Sequence, residues 1–170
     1  MNEVFRLLDG YLINGCYIKV FISGAGSKVV RVDKRVKGKP DKLIACGEGS
    51  NFLSALYNVI GDTDETIIDA TPLNKVLCQG YPLFFSRLAN GQVLSAVCDG
   101  CGNNYVPIRS VITEEIEAGI GALNAILSEF DLDDSYEFME YAEHQTNPVY
   151  TYKNNRTKKE KNIKWCFFID

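Results

Sequence analysis

The sequence predicts an α+β domain in which a β-hairpin, a third strand and a helix occur twice. Three observations carry this. Apolar residues switch between alternating and helical spacing along the chain, two stretches rich in Val, Ile and Phe are each split by a glycine turn, and an amphipathic helix pattern follows each stretch. With 170 residues, 46% of them hydrophobic and 24% charged, the chain has the size and composition of one globular domain with its own core. The expected organisation is a single domain, 1–170, with sub-units 1–61 and 80–133 and a C-terminal helix and hairpin over 134–170.

Each element has a local cause. Residues 2–13 place Val4, Leu7, Leu8, Tyr11 and Leu12 at helical spacing, and Gly15 ends that helix. Residues 17–23 and 28–36 form a hairpin around Gly24-Ala25-Gly26-Ser27. A basic turn over 34–42 leads to a third strand at 43–46. Gly47-Glu48-Gly49-Ser50 then opens a helix with Ser50 or Asn51 as its cap, Phe52, Leu53, Leu56, Val59 and Ile60 on one face, and Gly61 as its stop. Residues 62–79 read as a linker.

The second half repeats this logic. Strands at 82–88 and 92–97 flank Ala89-Asn90-Gly91, a hairpin signal, and a strand at 105–111 is placed at a sheet edge by Pro107. Thr113 is expected to cap a helix with Glu114, Glu115 and Glu117 in its first turn. Its buried stripe would be Ile116, Ile120, Leu123, Ile126, Leu127 and Phe130. A short acidic helix at 134–143 and a hairpin at 149–152 and 163–169, around a basic loop at 153–162, complete the chain.

Charge is segmented by sign. Residues 1–61 hold nine Lys or Arg against five Asp or Glu, and residues 153–164 hold six against one. Between them, residues 113–144 carry ten carboxylates, namely Glu114, Glu115, Glu117, Glu129, Asp131, Asp133, Asp134, Glu137, Glu140 and Glu143, with no Lys or Arg. Such segregation speaks of partners more than of fold. No apolar run has the length of a membrane span, and the N-terminus lacks a signal-peptide pattern, so the expected location is the cytoplasm, with no membrane partner.

Catalytic motifs are missing from the sequence. The single histidine, His144, has no nucleophile at a supporting spacing, and no Walker loop is present. The six cysteines are expected to be reduced, with Cys16, Cys46 and Cys166 as small apolar residues beside strands. Cys98-Asp99-Gly100-Cys101 is half of a zinc or redox pattern, but Cys78 and His144 do not form a second ligand pair. The expectation is therefore no cofactor, with zinc on Cys98 and Cys101 as the alternative.

From residue 2 to 61, a helix, three strands and a Gly-x-Gly turn into a helix resemble the double-stranded-RNA-binding domain. In that family the second helix opens with phosphate-holding lysines, where this chain has Asn51, Phe52 and Leu53. The resemblance implies a shape and speaks against RNA binding by that route. Over residues 17–61, the Gly-x-Gly-Ser turn followed by Ala55, Leu56 and Asn58 also resembles small α/β proteins common in phage genomes.

The function expected from these features is a non-enzymatic phage or mobile-element protein that inhibits a host nucleic-acid-targeting complex, such as a CRISPR nuclease. Contact would run through Glu114, Glu115, Glu117, Asp133, Asp134, Glu137, Glu140 and Glu143, a carboxylate array imitating DNA phosphates, with Tyr136 and Tyr141 as anchors. The alternative is direct nucleic-acid binding through Lys28, Arg31, Lys34, Arg35, Lys37, Lys39 and Lys42 of the first hairpin and Arg156, Lys158, Lys159 and Lys161 of the last loop.

Overall fold

The computed structural model describes residues 3–62, 66–100 and 105–128. In chain order the elements are α1 (Glu3–Ile13), β1 (Cys16–Ile22), β2 (Lys28–Val36), β3 (Lys39–Gly49), α2 (Phe52–Asn58), α3 (Pro72–Cys78), β4 (Leu83–Arg87), β5 (Val93–Asp99), β6 (Val106–Thr113) and α4 (Ile116–Leu127). The strands form one antiparallel sheet in the order β3-β2-β1-β4-β5-β6. This is the expected α+β class, with hairpin, strand and helix occurring twice. Each half is also preceded by a helix, so both run α-β-β-β-α. The halves meet where their first strands, β1 and β4, pair antiparallel through Ile18↔Phe85, Lys19↔Phe84 and Val20↔Leu83.

Strand alternation divides the side chains between two faces. Ile18, Val20, Val30, Val32, Leu83, Phe85, Val93 and Val97 join Val4, Leu8, Leu12, Phe52, Leu56, Leu73, Leu77, Ile116 and Leu123 in the main core. All four helices contribute to that core, so the helical layer lies on one side of the sheet. The residues between them point the other way. Tyr17, Phe84, Leu94, Ala96, Cys98 and Tyr105 make a second, smaller cluster that contains no helix residue.

The Gly-x-Gly turn is a packing device. Gly47 and Gly49 lie within β3, directly against α2. A Cβ on Gly47 would overlap the Ala55 carbonyl oxygen and lie 2.6 Å from the Val59 nitrogen, and one on Gly49 would lie 2.7 Å from the Ala55 nitrogen. Only glycine lets the two backbones approach this closely.

The structure also alters several expectations. Residues 62–79 contain α3, a seven-residue helix with Thr71 as N-cap and Pro72 in its first turn. That pair is itself a helix-start signal in the sequence. Thr113 ends β6 and does not cap α4. Asp9 of α1 does so instead, its carboxylate accepting the Ile116 amide at 2.9 Å. Glu114 and Glu115 therefore precede α4, leaving Glu117 in the first turn. Cys46 is exposed, whereas Cys16 is buried as expected; among the described residues, Cys16, Cys46, Cys78 and Cys98 form no disulfide. The helix expected at 134–143 and the hairpin at 149–169 lie outside the described residues.

Both outer strands carry features that discourage further pairing. In β3 these are Lys39, Pro40, Lys42 and two register shifts against β2. In β6 they are Pro107 and a shift against β5 at Val97/Cys98. Among the described residues, no helix is long and apolar enough to cross a membrane.

Candidate functional site

A cleft of about 750 Å³ opens on the sheet face opposite α1–α4, which carries no helix among the described residues. Its floor is built from β1 and β2, with Tyr17, Lys19, Phe21, Arg31 and Asp33; Lys39, Pro40 and Asp41 of β3 form one wall, and Gly80, Pro82, Gly100 and Tyr105 the other. The floor follows from register. Tyr17 pairs with Asp33, and Lys19 with Arg31, so all four side chains share a face.

The β3 wall depends on a bulge. Val32 pairs with Ala45 and Asp33 with Leu43, leaving Ile44 without a partner of its own. One extra residue inverts the alternation beyond it, turning Asp41 towards the cleft. From there its carboxylate accepts the hydroxyl of Tyr17, which reaches across β2. Burial raises the Tyr17 phenol above its ordinary range, and the bond to Asp41 and that carboxylate's charge raise it further. Tyr17 thus stays a neutral donor.

Asp33 is committed as well. It is 2% exposed, and its two oxygens accept from Arg31 Nε at 3.0 and 2.9 Å. That bond fixes the guanidinium through Nε alone. Among the described residues, the four N–H groups on Nη1 and Nη2 of Arg31 have no hydrogen-bond partner. Lys19 Nζ sits 5.6 Å from the ring centres of both Tyr17 and Tyr105, within cation–π range. Phe84 stacks on Tyr17 at 5.6 Å, and Arg35 lies 5.1 Å from the Tyr17 ring centre. Lys19, Arg31 and Lys39 therefore face a cleft whose two carboxylates are both already engaged.

No protein-family model, curated protein or solved structure matches this chain.

The expected basic residues divide into groups. Lys34, Arg35, Lys37, Lys39 and Lys42 are all exposed around the tip of the β2–β3 hairpin. Arg31 lies on the cleft floor, whereas Lys28 is 7% exposed at the opposite end of β2 and stands apart. Of the expected acidic surface, Glu114, Glu115 and Glu117 are exposed near the start of α4. Asp133, Asp134, Tyr136, Glu137, Glu140, Tyr141 and Glu143 lie outside the described residues, as do Arg156, Lys158, Lys159 and Lys161.

Cys98 is fully buried on β5, and Cys101 lies outside the described residues, as does His144. Among the described residues, no group of three or more His, Cys, Asp or Glu is placed to hold a metal.

The start of α2 is closed to ligands. Its first amides are taken by protein acceptors: Phe52 by Asn74 at 2.9 Å, Leu53 by Asp69 at 3.1 Å, and Ser54 by Asn51 at 2.8 Å. Sequence reading missed Tyr17, Lys19, Asp41 and Tyr105. Lys19 was visible as a lone cation within an apolar strand, but its neighbours depend on tertiary register.

Proposed function

We propose that the protein is a non-enzymatic binding protein whose ligand is an anionic group seated in the cleft on the sheet face opposite α1–α4. One observation carries this reading. Asp33 pairs with Arg31 Nε and Asp41 accepts the Tyr17 hydroxyl, so the three cations Lys19, Arg31 and Lys39 outnumber two engaged carboxylates and a net positive charge faces whatever enters. The exposed cations of the β2–β3 hairpin stand beside the entrance and would steer such a ligand inward. A role as an inhibitor of a host nucleic-acid-handling complex belongs instead to the acidic surface, whose segregated charge in the sequence suggests it.

A second reading is contact through the acidic side. It is supported by Glu114, Glu115 and Glu117, which are exposed and form no ion pair among the described residues.

One capture experiment separates the two. The protein is immobilised and exposed to bacterial extract, and bound protein, nucleic acid and small molecules are identified. Capture lost in Lys19→Glu/Lys39→Glu but kept in Glu114→Lys/Glu115→Lys/Glu117→Lys supports the cleft. The reverse pattern overturns the first reading in favour of the second. Nuclease-sensitive capture lost on reversing Lys34, Lys37 and Lys42 alone would instead support direct nucleic-acid binding through the hairpin.

A further inference from the structure

We infer that the ligand of the cleft is a phosphorylated organic molecule of about nucleotide size, an assignment that rests on the cleft being the binding site. The charge count comes first. Three cations, Lys19, Arg31 and Lys39, and two carboxylates, Asp33 and Asp41, border one cleft; Asp33 is paired with Arg31 and Asp41 accepts the Tyr17 hydroxyl, which leaves a net of one positive charge and several unspent donors. A phosphate group offers several acceptor oxygens, enough to meet the remaining donors of Arg31, Lys19 and Lys39 together, which a single carboxylate does not.

Donor geometry is the second argument. Asp33 grips Arg31 at Nε and holds the guanidinium with its Nη groups unspent. That edge presents two parallel N–H groups, the fork that recognises phosphate oxygens in pairs. Lys19 is held over Tyr17 and Tyr105, so its ammonium is positioned before any ligand arrives. Ordering these groups in advance lowers the entropic cost of binding.

Size and lining supply the third argument. At about 750 Å³, the cleft lies within the roughly 300–1,000 Å³ typical of sites for small organic ligands and is far larger than a phosphate ion requires. Beside the cations it offers Phe21, Ile22, Pro40, Pro82 and Tyr105. An apolar or planar body fits against these residues while its phosphate meets Arg31 and Lys19.

The test is isothermal titration of the full chain with AMP, inorganic phosphate and an acidic hexapeptide as separate probes. AMP should bind with an affinity that falls as salt rises. Arg31→Lys keeps the charge and removes the fork, and Lys19→Met keeps the stem over the rings and removes the charge. Each should weaken AMP by about tenfold or more, while Glu3→Gln, exposed on α1, leaves it unchanged. Thermal melts confirm that the variants are folded.

Absence of AMP binding, or binding indifferent to both cleft variants, overturns the assignment. Inorganic phosphate bound as tightly as AMP overturns the organic body. Hexapeptide bound in place of AMP, and lost in the same variants, overturns the phosphate but leaves the cleft as the binding site. The cleft reading itself falls only if capture from extract also ignores Lys19 and Lys39.

Discussion

Tyr17 on β1 reaches across β2 to donate its hydroxyl to Asp41 on β3, linking two strands that are not neighbours in the sheet. The bond holds the β3 wall over the cleft floor and keeps the Asp41 carboxylate occupied. Tyr17→Phe should cost about 1 kcal/mol of stability in denaturant unfolding and weaken anion binding, because the released carboxylate competes for Lys19 and Arg31. The pH dependence has a definite sign. The native phenol ionises above the ordinary value of about 10, so the native state retains a proton that the unfolded chain has lost. Stability therefore falls as pH rises from about 10 upwards, and Tyr17→Phe should remove that part of the alkaline slope. An unchanged slope would show that Tyr17 is not the group responsible.

Gly47 and Gly49, the glycines of the Gly-x-Gly turn, can be tested as packing residues. The atoms that a Cβ would meet at Gly47 are backbone atoms of α2, which cannot rotate aside. Gly47→Ala and Gly49→Ala should each cost about 3 kcal/mol, towards the upper end of the usual range for overpacking. Gly24→Ala, where nothing lies within 4 Å, should stay within about 0.5 kcal/mol of the parent. Equal melting temperatures for all three variants would contradict this account. Ligand affinity per folded molecule should be unaffected.

The fold was legible where its causes are local. Alternation in residues 17–23 and 28–36, the Asn90-Gly91 turn and Pro107 each act within a few residues, and the structure places strands, hairpin and edge accordingly. What escaped depends on distant partners. The short helix α3 is anchored by Asn124 of α4, whose side chain accepts the Leu73 amide at 2.9 Å. The cap of α4 comes from α1. In the cleft, Asp41 turns inward because Ile44 is skipped by the β2–β3 register, and a bulge of that kind has no fixed sequence signature. Lys19 acquires its role only when Tyr105, from the other half of the chain, is brought beside Tyr17. A charge census saw the basic hairpin but not the cleft beneath it.

The Asp9–Ile116 contact gives a prediction for acid and neutral pH. Burial raises the Asp9 carboxyl above its ordinary value, and the charges of Glu115 and Glu117 add to this, while the Ile116 amide opposes them. A raised carboxylate pKa means that the native state binds more protons than the unfolded chain within the window. This contribution to stability is therefore fully present below the ordinary carboxylate range and is lost as pH rises through the native value. Asp9→Asn keeps an acceptor for Ile116 and removes the charge, so its stability relative to the parent should increase as pH rises through that window. Asp9→Ala loses the cap and should cost about 1 kcal/mol at neutral pH. Parallel stability–pH curves for Asp9→Asn and the parent would refute the assignment.

Ser95 of β5 packs directly against Gly119 of α4, and a double-mutant cycle can measure that contact. Ser95 is fully buried on β5, and its hydroxyl oxygen has no hydrogen-bond partner among the described residues. A Cβ on Gly119 would overlap that oxygen, with Thr113 Oγ1 a further 3.1 Å contact and Ser95 Cβ at 3.2 Å. Ser95→Ala removes an unsatisfied buried hydroxyl and should stabilise by about 1 kcal/mol. Gly119→Ala alone gains about 1 kcal/mol of helix propensity, but the clash exceeds it, and the net effect should be destabilising by about 1–2 kcal/mol. Once Ser95 is Ala, the main obstacle is gone and the propensity gain offsets much of what remains. The two substitutions should then couple favourably by about 1–2 kcal/mol in equilibrium unfolding. Simple additivity would mean that α4 moves away from β5 to accept the methyl group, and that the close approach is not what selects glycine at this position.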